Sequence, residues 1–389
     1  MIQRIVRNQA FRVSAEALRP NRMQTAIALL GQKDQPTDAV EDYCLYLAAA
    51  LLPHGIQLDI RRVPWEIHGW DAALETLPLM ATRWRNTWVL VQYTALAWSA
   101  RGFPQKFLRV LDILKTSGAR VAVIFHDVLP YPGTRLVDRF RRFTQTRVMR
   151  RAVTQAEAAI FTVSPEKASW LPNQLGNVVF IPVGANLPIP QDTPTSSAQR
   201  DMPEIAVFGI TGGEPGNRET AAIVSSVRNA AQSLGPLKLN VFGRGANQHE
   251  NALHQAFEGL PITLSVEGIL TPESVVERLL ASDVLLFVRG PISSRRGSAI
   301  AGISCGLPVV GHWGPETAST ITEAGVILVP ENDSSALSDA LLRVLSDQDY
   351  RQELRARSCA AYKNHFSWSA IASQFHDILE PTTRPRFSG

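Results

Sequence analysis

Short runs of apolar residues alternate with helical patterns along most of the chain. In the first half the apolar runs have the length of buried strands, and they occupy residues 25–31, 56–63, 88–93, 120–125, 157–162 and 178–182. Amphipathic stretches separate them, beginning with a helical pattern over 38–53 for which Thr37 or Asp38 is the expected N-cap. Strands that alternate with helices in this way predict βαβ units around a parallel sheet.

A second series of strands and helices follows a segment rich in proline and serine, 187–203. Its expected strands lie at 204–209, 237–243, 262–266, 283–288, 307–311 and 327–330. Because a chain of 389 residues is long enough for roughly two domains, the sequence predicts two α/β domains and a C-terminal tail. The expected bounds are 1–190, 191–370 and 371–389.

The three cysteines, Cys44, Cys305 and Cys359, are odd in number and far apart. This indicates a reducing compartment, with neither a disulfide framework nor a structural zinc site. The N-terminus lacks the apolar core of a secretory leader, and no apolar run reaches the roughly 20 residues of a membrane span. We therefore expect a cytoplasmic protein.

Charge is distributed unevenly between the two halves. Residues 1–190 contain 23 Lys and Arg against 14 Asp and Glu, a net charge of +9, whereas residues 191–389 have a net charge of −5. A basic first half suggests an anionic partner, such as the inner face of a membrane or a lipid-phosphate acceptor, and a solvated surface is the simpler alternative. Nucleic acid is not expected, because no known nucleic-acid-binding module is present.

Two segments concentrate this positive charge. Residues 1–20 carry Arg4, Arg7, Arg12 and Arg19 among apolar residues, which predicts either an interfacial helix or an ordinary surface segment. Residues 135–151 hold seven arginines together with Phe140, Phe143, Val148 and Met149. This second segment is helical in pattern, and it either contacts a membrane or anionic acceptor or is a solvated helix whose apolar residues belong to the core.

Polar residues follow several expected strands at the point where each strand ends. His126 and Asp127 come directly after 120–125 and precede a proline-rich loop. The carboxyl ends of parallel strands share one edge of a sheet, where ligands bind in open α/β folds. His126 and Asp127 are therefore the candidates for chemistry in the first half, and a purely structural histidine is the alternative.

In the second half, glycine-rich turns and arginines occupy the same kind of position. The expected site residues are Gly212, Gly213 and Arg218 after the first strand, Gly243 and Arg244 after the second, and Gly268 and Ile269 after the third. These turns match neither a dinucleotide fingerprint nor a P-loop.

A further helix should begin near Gly297 and Ser298, directly after Arg295 and Arg296. Free N–H groups at a helix start and two guanidinium groups suit a phosphate or diphosphate, and the alternative is a crossover with solvated arginines.

Several short motifs resemble the GT-B glycosyltransferases, in particular the large retaining family that uses nucleotide sugars. These motifs are Ile181–Asn186 before the linker, Ala281–Val284, Cys305–Val310 with the sequence CGLPVV, and Phe366–Trp368 near the end. The resemblance covers nearly the whole chain. It implies two Rossmann-like domains that face each other across a cleft, with a last helix that crosses back to the first domain.

The resemblance also implies roles for the candidate residues. The second domain would hold a nucleoside diphosphate sugar, with Arg295, Arg296, Gly297 and Ser298 on the diphosphate, and the remaining glycine-turn residues would assist or flank the base. His126 and Asp127 in the first domain would position the sugar and a glycan or lipid-linked acceptor. No metal and no further cofactor would be needed, because basic side chains and helix dipoles stabilise the leaving diphosphate.

One departure from the family pattern affects the function. The family carries two glutamates with seven residues between them, the second four residues before the cysteine of CGLP, and Ser293 and Ala301 occupy these positions here. The expected activity is hexosyl transfer with retention, in the synthesis of cell-surface polysaccharide or glycoconjugates. The missing glutamates favour a non-catalytic GT-B partner subunit as the alternative, and a sugar-nucleotide epimerase is a third possibility.

Overall fold

The structure, a computed structural model, describes residues 23–35, 38–172, 175–190, 202–331 and 333–380. The chain divides into two compact units. The first contains the described residues up to Phe161, Ala168–Ile181 and the last helix from Ile371; the second contains Thr162–Lys167 and Pro182–Ala370. The basic segment 1–20 and most of the proline-rich segment, 191–201, lie outside the described residues.

The first unit is a six-stranded parallel sheet flanked by helices. Its strands are β1 (Gln24–Leu30), β2 (Ile56–Arg62), β3 (Trp88–Tyr93), β4 (Arg120–Phe125), β5 (Ala158–Phe161) and β6 (Val178–Phe180), in the order β2-β1-β3-β4-β5-β6. The helices are α1 (Ala39–Leu51), α2 (Trp65–Ala81, interrupted at Gly69), α3 (Lys106–Thr116) and α4 (Leu136–Gln155). All neighbouring strands pair in parallel, as the sequence predicts.

The central strands of this sheet are covered on both faces, which explains their unbroken apolar runs. Val89, Leu90 and Val91 of β3 are fully buried, as are the corresponding residues of β4. Asp38 is the N-cap of α1, and its Oδ1 accepts hydrogen bonds from the Val40 and Glu41 N–H groups at 3.1 and 3.0 Å.

The second unit has a sheet of the same kind. Its strands are β7 (Glu204–Phe208), β8 (Leu237–Phe242), β9 (Ile262–Val266), β10 (Val284–Pro291), β11 (Val309–His312) and β12 (Val326–Val329). Their order is β12-β11-β10-β7-β8-β9, all parallel. The helices are α5 (Gly213–Leu234), α6 (Glu250–Phe257), α7 (Pro272–Leu280), α8 (Gly297–Ser304), α9 (Ser319–Thr322), α10 (Ser334–Ser346) and α11 (Gln348–Ala361).

The last helix is α12 (Trp368–Leu379), which the sequence predicts as the closing element. Its part from Ile371 onward belongs to the first unit, where the Leu379 carbonyl accepts hydrogen bonds from Trp88 Nε1 at 3.1 Å and Gln24 Nε2 at 3.0 Å.

The strand orders locate the edge at which each sheet should bind ligands. In an open α/β sheet the order in which successive strands are added reverses at a switch point, and a crevice opens there at the carboxyl ends of the strands. The switch point lies between β1 and β3 in the first sheet and between β7 and β10 in the second.

The remaining sequence expectations concern cysteines, membrane spans and the basic helix. All three cysteines are free, and Cys44 and Cys305 are buried. Among the helices that the structure describes, none combines the length and apolar character of a membrane span. On α4, Val148 and Met149 are buried as expected of core residues. The prediction that the apolar residues of this segment belong to the core is wrong for Phe140 and Phe143. Their side chains are exposed because they face away from the sheet.

Candidate functional site

Backbone hydrogen bonds hold the glycine-rich turns of the second unit together. Gly209, directly after β7, donates to the Phe242 carbonyl at 2.7 Å, and Ile210 donates to the Arg244 carbonyl at 3.0 Å. Gly243 in turn donates to the Gly268 carbonyl at 2.8 Å. The turns after β7, β8 and β9 therefore form one layer at the carboxyl edge of the sheet, as the sequence predicts.

One of these turns leaves no room for a side chain. Gly245 has a φ of +81°, and a Cβ atom there would lie 2.0 Å from the Ile210 carbonyl oxygen. Only glycine allows the second turn to approach the first this closely.

Strand β10 continues three residues beyond the end expected from the sequence, and this extension carries Arg289. The pairing with β11 shifts register between Leu286 and Pro291, and Gly290 has a φ of +73°. Such irregularities in strand pairing change the direction of individual side chains and are common next to active sites. Arg289 is thereby placed beside the first turn: a Cβ atom on Gly209 would lie 3.1 Å from its Nη1.

Two arginines of this edge contain buried nitrogen atoms without a partner. Among the described residues, the Nε atoms of Arg289 and Arg296 are inaccessible and make no hydrogen bond. Burial lowers the pKa of both guanidinium groups, and the charge of Arg295 lowers that of Arg296 further, although Glu316 partly opposes this. A buried guanidinium N–H group without a hydrogen bond is costly, and an anion bound beside these two partly buried side chains would offset that cost.

Arg296 is also the residue that precedes α8. Gly297 and Ser298 form the first turn of that helix, as expected, and no other residue lies within 4 Å of where a Cβ of Gly297 would be. The start of α8 is therefore open to a ligand.

Arg295 has a different environment from its neighbour. Its Nε and Nη2 donate to the Glu316 carboxylate at 2.8 and 3.1 Å, and Ser293 Oγ donates to the same group at 3.4 Å. The expected diphosphate ligand Arg295 is thus already neutralised within the second unit, whereas Arg296 is not.

The remaining candidates of the second unit are more exposed. Arg218 lies on α5, 3.9 Å from Glu214, and its side chain is largely exposed. Arg244 and Ile269 are exposed on their turns. Gly212 precedes α5 and Gly213 begins it, with a φ of +69°.

Sequence reasoning missed three charged residues of this edge: Arg289, Glu219 and Glu316. Glu219 accepts a hydrogen bond from the Thr211 N–H at 2.7 Å and lies close enough to Arg289 and Arg296 to raise their pKa values. The sequence does contain a signal for Arg289: the apolar run 284–288 is followed directly by Arg289, Gly290 and Pro291. An arginine at the end of an apolar strand is expected at the edge of the sheet where the carboxyl ends of the strands lie.

The positions of the two family glutamates are buried. Ser293 and Ala301 are 1% and 2% exposed, and Ala301 packs in the apolar core beneath α8. Neither position offers a carboxylate to a ligand.

In the first unit, His126 and Asp127 lie at the end of β4 and contact residues of neighbouring elements. Gln92 donates its amide to the Leu90 carbonyl at 3.2 Å, so its Oε1 accepts from His126 Nε2–H at 2.8 Å. The Tyr43 ring meets the imidazole edge-on, with 5.1 Å between the ring centres. The Asp127 carboxylate accepts from the Ala95 N–H at 3.0 Å. Both side chains are thus fixed in orientation.

A cavity of about 290 Å³ lies at the switch point of the first sheet. Its polar lining includes Lys33, Asp34, Asp38, Gln92, Thr94 and Asp127. Gln32 also lines it and has a buried Oε1 that no described group satisfies. The cavity has the donors and acceptors that a hydroxyl-rich ligand needs. In the part of the chain that the structure describes, no cluster of three or more His, Cys, Asp or Glu could hold a metal ion.

Comparisons with known proteins relate the fold to solved structures. No protein family model and no curated protein matches the chain. Sucrose-phosphate synthase from Thermosynechococcus elongatus is 18% identical, with a TM-score of 0.64 over 91% of this chain and 98% of that one. Anabaena HepE in complex with UDP and glucose is 13% identical, with a TM-score of 0.58 over 92% and 99%.

A third similar structure is that of a protein named for a different reaction. It is a putative UDP-N-acetylglucosamine 2-epimerase from Listeria monocytogenes, 12% identical, with a TM-score of 0.58 over 91% and 95%. At these identities the similarity shows the fold alone. The chain has the two-domain α/β fold of the GT-B proteins, as the sequence predicts.

Proposed function

We propose that the chain is a glycosyltransferase that binds a nucleoside diphosphate sugar in its second unit and transfers the sugar to a glycan or lipid-linked acceptor. One observation carries this proposal: Arg289 and Arg296 each have a buried Nε atom without a hydrogen-bond partner among the described residues. Arg289 lies near the carboxyl end of β10 and Arg296 lies in the loop after it, and β10 borders the switch point of the second sheet. Diphosphate is the part of a nucleotide sugar that such a pair would bind.

The two guanidinium groups also account for how the reaction would proceed. As the bond between the sugar and the diphosphate breaks, negative charge develops on the leaving oxygen. Arg289, Arg296 and the N-terminus of α8 would stabilise that charge, so the transfer would need no metal ion. Arg295, Gly297, Ser298, Gly212, Gly213 and Arg218 would assist, and Gly243, Arg244, Gly268 and Ile269 would flank the base.

The acceptor would bind in the first unit. The 290 Å³ cavity supports this assignment because amide, hydroxyl and carboxylate groups line it. His126 and Asp127 would position the sugar and the acceptor hydroxyl. We further propose hexosyl transfer with retention, in the cytoplasm, as a step in polysaccharide or glycoconjugate synthesis.

The test is calorimetric titration of the full chain with UDP, ADP and GDP, followed by the best ligand with Arg289→Gln and Arg296→Gln. Loss of a charge-assisted hydrogen bond should weaken binding by about 10- to 100-fold in each variant. Arg228→Gln is the matched control, because Arg228 is an exposed arginine of the same unit whose guanidinium group donates to the Ala256 carbonyl and to no other described residue. Equal affinities in all three variants would refute the assignment of the diphosphate site.

A non-catalytic GT-B subunit is the second candidate, favoured by Ser293 and Ala301 in place of two glutamates. It predicts either no nucleotide binding or binding without turnover. Incubation with the matching radiolabelled nucleotide sugar separates these cases, since a transferase releases the nucleoside diphosphate when an acceptor is supplied and a binding subunit does not.

A further inference from the structure

Helix α4 presents apolar and basic side chains to solvent along a single stripe. Leu136, Phe140, Phe143, Arg147 and Arg151 are spaced by four, three, four and four residues, so they lie on one helix face. All five are exposed. Leu136, Phe140 and Phe143 are 81%, 59% and 62% exposed, values that side chains folded onto a core do not reach. Exposed apolar clusters of this kind mark interaction surfaces.

Beside this stripe runs a groove of about 350 Å³ between α3 and α4. Its main lining residues are Leu108, Arg109, Phe140, Phe143, Arg147 and Arg151. Asp112 is the only carboxylate among the described residues that line it, and its Oδ1 is engaged by Gln155 Nε2 at 2.8 Å. The groove is therefore apolar at one end and positively charged at the other.

The arginines of α4 divide into two groups. Arg141 pairs with Asp138, Arg142 donates to carbonyl groups of the 131–133 loop, and Arg150 donates to the Trp170 carbonyl at 2.8 Å. These three hold the helix to its surroundings. The guanidinium groups of Arg139, Arg147 and Arg151, by contrast, have no hydrogen-bond or carboxylate partner among the described residues, and all three side chains are exposed to a ligand.

We propose that this surface, which we call the α3–α4 surface, docks the chain on a bilayer that contains anionic phospholipids. Leu136, Phe140 and Phe143 would enter the interfacial region, where aromatic and aliphatic side chains replace water contacts with acyl-chain contacts. Arg109, Arg139, Arg147 and Arg151 would meet the lipid phosphates. Charge complementarity selects this partner, because free basic groups next to an apolar stripe match the two layers of a membrane interface. The proposal does not depend on the activity of the second unit.

The experiment is flotation of the full chain with vesicles of phosphatidylcholine, alone or with about 30 mol% phosphatidylglycerol. Binding should require the anionic lipid and should weaken between about 0.1 and 0.5 M salt, because the shorter Debye length screens the arginines. The triple variant R139Q/R147Q/R151Q should bind on the order of 100-fold more weakly, and F140S/F143S about tenfold more weakly.

Matched controls separate this surface from general charge and apolarity. The control R83Q/K238Q/K363Q replaces three exposed basic residues elsewhere on the protein. The control I67S/L79S replaces two apolar residues of α2 whose side chains are 77% and 72% exposed. Both controls should retain the parent affinity. All four variants change exposed residues, so melting temperatures should stay at the parent value and verify folding.

Three results would overturn the proposal. The first is equal loss of vesicle binding in the controls, and the second is binding that an R4Q/R7Q/R12Q/R19Q variant abolishes while the α4 variants retain it. The third is no binding to either kind of vesicle, whether or not the protein binds a duplex oligonucleotide that is tested in parallel.

Discussion

Arg295 and Glu316 form a two-point ion pair, with Nε and Nη2 at 2.8 and 3.1 Å from the two carboxylate oxygens. Glu316 is largely buried, and it comes from the segment after β11, whereas Arg295 precedes α8. The pair therefore fixes the loop that holds Arg296 and neutralises one of two consecutive arginines. The other arginine, Arg296, makes no ion pair among the described residues and has a buried Nε without a hydrogen bond beside the proposed nucleotide site.

Replacement of Glu316 by Gln should have opposite effects on stability and on binding. Arg295 loses its counter-ion, so the free energy of unfolding should fall by about 2 kcal/mol, as for other buried charged hydrogen bonds. Diphosphate affinity should rise, because a nearby negative charge has gone. Urea denaturation and UDP titration measure the two quantities.

The companion variant Arg295→Gln provides the control for that experiment. It should also destabilise the protein, but it should weaken nucleotide binding much less than Arg296→Gln does, because Arg295 is already paired. A larger binding loss for Arg295→Gln than for Arg296→Gln would show that the ion pair opens and that Arg295 is the principal diphosphate ligand.

The turn at Gly245 should tolerate no side chain. Gly245→Ala introduces a Cβ in a left-handed conformation and against the Ile210 carbonyl, 2.0 Å away, so a loss of about 3 kcal/mol in stability is expected. Gly259→Ala is the matched control: its φ is +74°, but nothing lies within 4 Å of the new Cβ. It should cost only about 1 kcal/mol, and similar losses in chemical denaturation of the two variants would contradict the close approach of the two turns.

The alternation of strands and helices was predictable because both sheets are buried on two faces. A strand such as β3 must then be apolar throughout, and its length distinguishes it from a helix. The N-cap of α1 was predictable to within two residues, Thr37 or Asp38, for a local reason: a side-chain oxygen at a helix start satisfies backbone N–H groups only a few residues away.

The candidate site was predictable only in part. Its glycine turns and the start of α8 follow from the sequence, since glycine and strand ends are local features. Arg289 was missed because the irregular pairing of β10 with β11 extends the strand past Val288, and this irregularity depends on a neighbouring strand. The Glu316 partner of Arg295 lies 21 residues away in sequence, so no local pattern reveals it.

The exposure of Phe140 and Phe143 was not predictable either. In the pattern of α4 the aromatic residues and the buried pair Val148 and Met149 are equally apolar. Only the packing of the helix on the sheet decides which of them reach solvent.

Replacement of His126 should affect transfer and leave nucleotide binding intact. All proposed diphosphate contacts lie in the second unit, so His126→Ala should keep the UDP affinity of the parent. Its proposed role is to position the sugar, and loss of positioning should lower kcat on the order of 100-fold. Steady-state kinetics with the identified nucleotide sugar, together with UDP titration, measure both quantities.

Gln92→Leu is the informative companion, because Gln92 is 2% exposed and its Oε1 accepts from His126 Nε2. It should lower kcat by a smaller factor than His126→Ala, since the imidazole is retained but loses its fixed orientation. Adding Gln92→Leu to His126→Ala should then have little further effect. Independent, multiplying effects would show that Gln92 does not act through His126.

The Asp38 carboxylate should make part of the stability depend on pH. Burial alone would raise the pKa of Asp38, but hydrogen bonds from the Glu41 N–H and the Arg62 guanidinium, 2.7 Å away, outweigh burial and lower it. A carboxyl group whose pKa is lower in the folded than in the unfolded state stabilises the fold above the unfolded value of about 3.9. That stabilisation disappears as the pH falls through the folded-state pKa.

Asp38→Asn should therefore cost about 1 to 2 kcal/mol at pH 7 and almost nothing near pH 2, because an asparagine keeps the N-cap hydrogen bonds but not the ion pair. Asp59→Asn is the control, since the Asp59 carboxylate makes a solvent-exposed pair with Arg61 at 3.6 Å and accepts an exposed hydrogen bond from Gln57 Nε2 at 3.0 Å. Its cost should stay within about 0.5 kcal/mol at both pH values. Urea denaturation of the parent and both variants across this range tests the difference, and an Asp38→Asn cost that persists unchanged near pH 2 would show that the carboxylate acts through its shape and hydrogen bonds instead of its charge.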